Sequence, residues 1–243
     1  MKSVTKEGSF YQWYRLLLKY HTQKLKLKAN RQQLVLLREF LGDDSVFFDV
    51  GANKGLFTYW ACRYIQKNGS IHIFEPQSEL FWIFKNLENT FPKNKFFLNN
   101  CGLSDKTSFA KLNRNCIGDG SASLNTINDY HTAESSVKLY TLDEYCHSNQ
   151  ISKIDFIKID VEGHEQKTIR GGINTIEKLR PTLLIEMNPE IGSKEVINRF
   201  MDLGYKVKMI FAGQIFDSNS SFFQSLMNPQ ETNGFHADFI FYS

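Results

Sequence analysis

Two glycines and a small set of carboxylates stand where chemistry could be done in this sequence. Asp49-Val50-Gly51-Ala52-Asn53-Lys54-Gly55 follows a short apolar run and opens a helical stretch. Gly51 permits a tight turn and a close backbone approach, and Gly55 permits close helix packing, which is the chemistry of a nucleotide-type loop. Glu75 stands 20 residues beyond Gly55. A strand-end carboxylate at that spacing can accept both hydroxyls of a ribose; without the loop it would read as an ordinary strand-end charge.

The loop departs from a dinucleotide fingerprint. Its middle glycine is missing, and Asn53 stands in that region. A pyrophosphate would want bare amide donors there, with a helix N-terminus beyond. An acidic Asp49 suits a ligand with cationic groups instead. S-adenosylmethionine carries an ammonium, a carboxylate and a sulfonium, and no phosphate.

A second group, Asp160, Glu162 and Glu186, should gather above the carboxyl ends of adjacent strands, where open α/β sheets bind ligands. Methyl transfer from a sulfonium is an in-line displacement, so positioning supplies much of the rate. A hydroxyl acceptor also needs a base within hydrogen-bond reach. One of these carboxylates, or His164, could serve. Other readings stay open. His164 could be a packing histidine, and Glu162 or Glu165 could cap the helix that follows, where negative charge is favourable. Carboxylates can also bind a divalent cation, but no spacing here indicates one, and no metal is expected.

The elements that must hold these residues alternate. Val46–Val50, Ser70–Phe74, Lys95–Asn99, Asp155–Ile159 and Thr182–Ile185 read as buried strands. Gly55–Ile65, Ser78–Asn89 (with Ser78 as N-cap), His164–Arg170 and Lys194–Leu203 read as helices. Strands alternating with helices predict a parallel sheet covered on both faces. Tyr205–Phe211 and Ala237–Tyr242 close the domain as strands, with a polar loop over 217–234. Residues 106–140 break the rhythm and read as an inserted hairpin or excursion over the strand ends. The division expected is a helical extension over 1–42 and an α/β domain over 43–243.

Several blocks together resemble the FkbM family of methyltransferases. They are Phe48 through Gly55, Phe74-Glu75-Pro76, Leu103-Ser104-Asp105, Thr141-Leu142-Asp143, Ile154 through Glu165, and Leu183-Leu184-Ile185-Glu186. The resemblance covers roughly residues 45–187. It implies a class I methyltransferase sheet, Rossmann-like, of about seven strands with the last antiparallel. It implies that Asp49, Gly51, Asn53 and Gly55 hold the amino-acid end of S-adenosylmethionine. Glu75, with Pro76 beside it, would hold the ribose, and Asn100–Asp105 would border the adenine, with Ser104 and Asp105 as side-chain candidates. Asp160 would lie between the methionine moiety and the acceptor. The family usually has a small residue where His164 stands. The expected activity is O-methylation of a hydroxyl on a sugar, glycan or natural product; methylation of RNA or protein is the alternative.

Composition is that of a globular protein, 42% hydrophobic and 23% charged. A net charge of +3 does not mark a nucleic-acid binder, and none is expected as a partner. Cys62, Cys101, Cys116 and Cys146 match no zinc spacing and read as reduced thiols of a cytoplasmic protein. No stretch is long and apolar enough to span a bilayer. Near the start, Trp13, Leu17 and Tyr20 recur at helical intervals beside Lys24, Lys26, Lys28 and Arg31. Such a helix could pack on its own domain or a second copy, or lie on an anionic membrane surface.

Overall fold

The computed structural model describes residues 31–116, 118–124, 133–187, 193–226 and 236–243. Its centre is an eight-stranded sheet. The strands are β1 (Val46–Val50), β2 (Ser70–Phe74), β3 (Lys95–Asn99), β7 (Phe156–Ile159), β8 (Thr182–Met187), β9 (Lys206–Phe211), β10 (Gln214–Asp217) and β11 (Ala237–Tyr242). Their order is β10-β9-β11-β8-β7-β1-β2-β3. The run from β3 to β8 is parallel. β11 enters antiparallel between β8 and β9. Such a sheet places its ligand site at the carboxyl ends of the strands, where the order reverses beside β1.

The strands are legible as apolar runs because both of their faces are covered. In β1, Phe47 joins one core cluster while Phe48 and Val50 join the other. In β7, Phe156 goes with Phe47, and Ile157 and Ile159 go with Phe48. The two-residue period therefore feeds two separate cores. Helix α1 (Arg31–Phe40) lays Leu34 and Leu37 into the Phe47 face, together with Leu41 just beyond the helix. α2 (Leu56–Tyr64) and α3 (Phe81–Thr90) complete that layer. The other layer holds α4 (Leu142–Ser148), α5 (Glu165–Arg170), α6 (Ile173–Leu179) and α7 (Ser193–Asp202). α4 begins with a capping box: Thr141 Oγ1 accepts from the Glu144 amide, and the Glu144 carboxylate accepts from the Thr141 amide.

A second sheet sits over the strand ends. β5 (Ser108–Arg114) and β6 (Ala133–Tyr140) pair antiparallel, and the two-residue β4 (Gly102–Leu103) pairs parallel with β6. Leu112, Val137 and Leu139 give this sheet a small core of its own.

Three local expectations change. The main sheet has eight strands rather than seven, because β10 folds back on β9 through Ala212 and Gly213 at φ 48° and 77°. Two residues with positive φ make the tight turn that suits a twisted hairpin. Within the stretch read as a polar loop, Ser221–Leu226 forms helix α8. Ser78 is not an N-cap: Ser78–Leu80 is a 3-10 turn preceded by Gln77, and α3 starts only at Phe81. The basic residues Lys24, Lys26 and Lys28, and the aromatic positions of the expected N-terminal helix, lie outside the described residues.

Candidate active site

β1 and β7 are neighbours, so the loop after β1 meets the end of β7. Gly51, at φ 76°, turns the chain so tightly that a Cβ there would fall 1.8 Å from the Asp160 carbonyl oxygen. Only glycine fits this approach. Asn53, at φ 44°, and Gly55, at φ 72°, continue the left-handed path into α2.

Beneath the loop lies Lys158, buried in β7. Its Nζ donates to Asp160 Oδ2 at 2.9 Å and to the Gly51 carbonyl at 3.2 Å, and stands 4.0 Å from Asp49 Oδ1. The ammonium also sits 5.1 Å from the centre of the Phe57 ring. Burial opposes the charge on Lys158, but Asp160 and Asp49 outweigh it and hold its pKa above the ordinary lysine value. Asp49 is fully buried and accepts from Thr58 Oγ1 at 2.6 Å. Burial raises its pKa, with Lys158 pulling the other way.

Above the loop is a cavity of about 350 Å³. Along the sheet edge, Glu75 and Pro76 after β2 line one end, Gly51 after β1 and Asp160 after β7 the middle, and Glu186 of β8 the other end, with Asn53 and Glu162 also in the lining. Gly102, Leu103, Leu112, Ala122 and Leu124 form its apolar wall. Glu75 is buried, and its two oxygens accept from the main-chain N–H groups of Asn53 (2.7 Å) and Gln77 (2.8 Å). Burial pushes its pKa up to about 7, and those two hydrogen bonds restrain the rise. Each carboxylate oxygen keeps a lone pair for a further donor. This pair of acceptor oxygens fits a ribose diol, the apolar wall fits a purine, and the far carboxylates fit a cationic sulfonium and ammonium.

Where β7 and β8 end, the carboxylates crowd one another. Burial, then the charge of Asp160, raises Glu162 to about 7 and Glu186 to about 8. Asp238 stands opposite Glu186 on β11. Burial lifts it to about 6, against the hydrogen bond it accepts from Gln33 Nε2 of α1. Among the described residues, no three His, Cys, Asp or Glu side chains are arranged to hold a metal ion.

The Methyltransferase FkbM domain model matches residues 49–207. The chain belongs to the FkbM methyltransferase family. Its cofactor is S-adenosylmethionine. The hexuronic acid methyltransferase AglP of Haloferax volcanii is 25% identical over 171 residues, spanning 70% of this chain and 67% of that protein. The 2-O-methyltransferase NoeI of Sinorhizobium fredii is 28% identical over 171 residues, spanning 63% of this chain and 67% of that one. Among solved structures, an FkbM methyltransferase from Methylobacillus flagellatus superposes with a TM-score of 0.52 at 13% identity. That match covers 83% of this chain but 44% of the other, and it shows the shared class I, Rossmann-like fold.

Within this FkbM domain, some sequence candidates do not reach the cavity. Asp49 lies under the loop, bound to Thr58 and facing Lys158, and Gly55 starts α2 rather than lining the wall. His164 is turned into the interior, where its Nε2 shares a 2.9 Å hydrogen bond with Ser104 Oγ. Burial drives its pKa down to about 4. A neutral imidazole tied to a buried serine away from the cavity is a packing histidine, not a base for an acceptor. Ser104 is thereby spent on His164 and Asp105, and Asp105 faces Arg170 at 3.5 Å. Gly102 and Leu103, one step earlier, reach the cavity instead. Glu165 turns back to accept from the Gly163 amide at 2.9 Å, as a helix-start carboxylate does. The residues that sequence reasoning missed are Lys158, Gln77, Asp119 and Asp238. Only Lys158 and Asp238 left a signal, each as a lone charge inside an apolar strand that burial obliges to find partners.

Proposed function

We propose that this protein transfers a methyl group from S-adenosylmethionine to a hydroxyl of a sugar or glycan. The observation that carries the reading is the convergence of Asp160, Glu162 and Glu186 in the same cavity as the ribose-type carboxylate Glu75. The names of the two relatives, a hexuronic acid methyltransferase and a 2-O-methyltransferase, support a sugar hydroxyl as acceptor.

The cofactor supplies an electrophilic methyl on a sulfonium. The chain does the rest. Glu75 accepts the ribose hydroxyls and fixes one end of the ligand. The loop at Gly51 and Asn53 holds the amino-acid end. Asp160, held in place by the hydrogen bond from Lys158 Nζ, faces the cationic centre and orients the acceptor. Glu186, with its pKa near 8, takes the hydroxyl proton as the oxygen commits to attack. Pro76 borders the ribose end of the cavity. The α/β unit over 43–243 is the catalytic domain, and α1 packs on its sheet. Among the described residues no helix is long and apolar enough to cross a membrane.

The test is a panel of free sugars, glycosides and oligosaccharides, with an RNA and a protein extract alongside, incubated with methyl-labelled S-adenosylmethionine. Label on a carbohydrate hydroxyl is expected. Label confined to RNA or protein would overturn the reading.

A further inference from the structure

Glu75 is held by the main-chain N–H groups of Asn53 and Gln77, and the side chains of these same two residues do a second job. Asn53 Nδ2 and Gln77 Nε2 both donate to one acceptor, the Asp119 carbonyl, at 3.0 and 3.2 Å. Asp119 belongs to the turn that follows β5, well outside the main sheet. The ribose carboxylate and the inserted hairpin are therefore fastened to the same pair of residues.

Gln77 is the more committed of the two. Its Oε1 accepts from the Gly118 amide at 2.9 Å and from Arg114 NH1 at 3.3 Å. Its carboxamide makes all three hydrogen bonds to the hairpin, and the residue is only 3% exposed. Arg114 is braced in turn by Glu79 at 3.1 Å, on the 3-10 turn next to Gln77. The Asp119 carboxylate folds inward on Asn115 and Ser121, which stiffens the turn itself. That turn supplies Asp119, Gly120 and Ala122 to the cavity wall. The hairpin has a core of three buried side chains, and this polar fastening, together with the hydrogen bond from Ser123 Oγ to the Glu162 carbonyl at 2.8 Å, seats it over the cavity.

We infer that Gln77 is a positioning residue: it seats the 118–122 turn against Glu75 and thereby sets the affinity for the nucleoside part of the cofactor. The inference rests on the cofactor reading of this cavity. Replacing the carboxamide with an apolar isostere removes three hydrogen bonds, leaves the Gly118 N–H without its acceptor and leaves the Asp119 carbonyl with Asn53 Nδ2 alone, a buried loss that is concentrated at the turn.

The experiment measures binding of S-adenosylhomocysteine and of 5′-methylthioadenosine by calorimetry, for wild type, Gln77→Leu and Arg114→Met. Both ligands should bind Gln77→Leu at least roughly tenfold more weakly, because both carry the nucleoside. Arg114→Met should show a smaller loss in the same direction. KM for the cofactor should rise more than kcat falls, and the Gly118 amide should exchange faster. Gln77→Glu keeps the acceptor atoms for Gly118 and Arg114, so it should recover part of the affinity. Unchanged affinity for both ligands in folded Gln77→Leu would overturn the inference. If that variant does not fold, unchanged affinity in Arg114→Met overturns it equally. Failure of the wild type to bind either ligand would instead remove the cofactor reading itself.

Discussion

The two ends of the cavity treat their carboxylates in opposite ways. At the ribose end, Glu75 is buried alone and met by two main-chain N–H groups. At the other end, the charge of Asp160 helps to raise the pKa values of Glu162, Glu186 and Asp238, and the buried Lys158 ammonium pulls each of them back. The first arrangement fixes both oxygens of a single carboxylate in a rigid frame before any ligand arrives, as binding requires. The second leaves protons that can move near neutral pH, as acid–base chemistry requires. In the proposed function, one sheet edge carries a holding end and a reacting end within a single cavity.

The sharpest way to break this contrast is at Asp160. Asp160→Asn keeps the shape but removes the partner of Lys158 and the charge beside the reacting centre. Turnover should fall by about 10²- to 10⁴-fold, while cofactor affinity changes far less; turnover near that of wild type would place the reacting end elsewhere. Next comes the holding end. Glu75→Ala should weaken cofactor binding by about 1–3 kcal/mol, read by calorimetry, and equal affinity would deny Glu75 its role.

Titration separates the ends further. Because the folded pKa of Glu75 is raised to about 7 and a ribose needs an ionised acceptor, cofactor affinity should climb as pH rises through about 7. Glu75→Gln should flatten that profile. The smallest effect is on stability. Glu186 titrates near 8 in the folded chain and near 4.3 in an unfolded one. Stability tied to its protonated form is complete below the unfolded value and drains away as pH rises through about 8. Glu186→Gln should therefore melt a few degrees higher than wild type at pH 8 and equally at pH 4. An unchanged gap across that range would mean Glu186 is not held in a crowded, desolvated site.

The sequence discloses the holding end more fully than the reacting end, and the reason is local. Gly51, Asn53 and Glu75 act through backbone turns and strand ends, which spacing along the chain records directly. His164 misleads because Glu162 and Gly163 both take positive φ, at 47° and 84°. Those two left-handed steps rotate the residues after them, so adjacency to Asp160 does not carry His164 to the cavity. Ser104 misleads for a related reason: it pairs with that same histidine. The parallel strands are plain from their apolar runs, since both faces are buried. β10 is hidden because it is an edge strand with three exposed residues, and its turn, Ala212-Gly213, lacks the Asn or Asp that usually announces one. Gln77 and Asp119 meet across 42 positions, and no periodicity encodes such an encounter.

Lys158 has one more consequence, for behaviour in brine. Dissolved ions weaken charge pairs that water can reach, such as Lys67 with Asp43 or Arg199 with Glu177, and at molar salt the screening distance shrinks to about 3 Å. The Lys158 ammonium, itself only 7% exposed, sits against the Phe57 ring, where counterions screen it far less. As salt rises, the protein's outer ion pairs should fade one by one while the seam joining Gly51 to Asp160 keeps its grip.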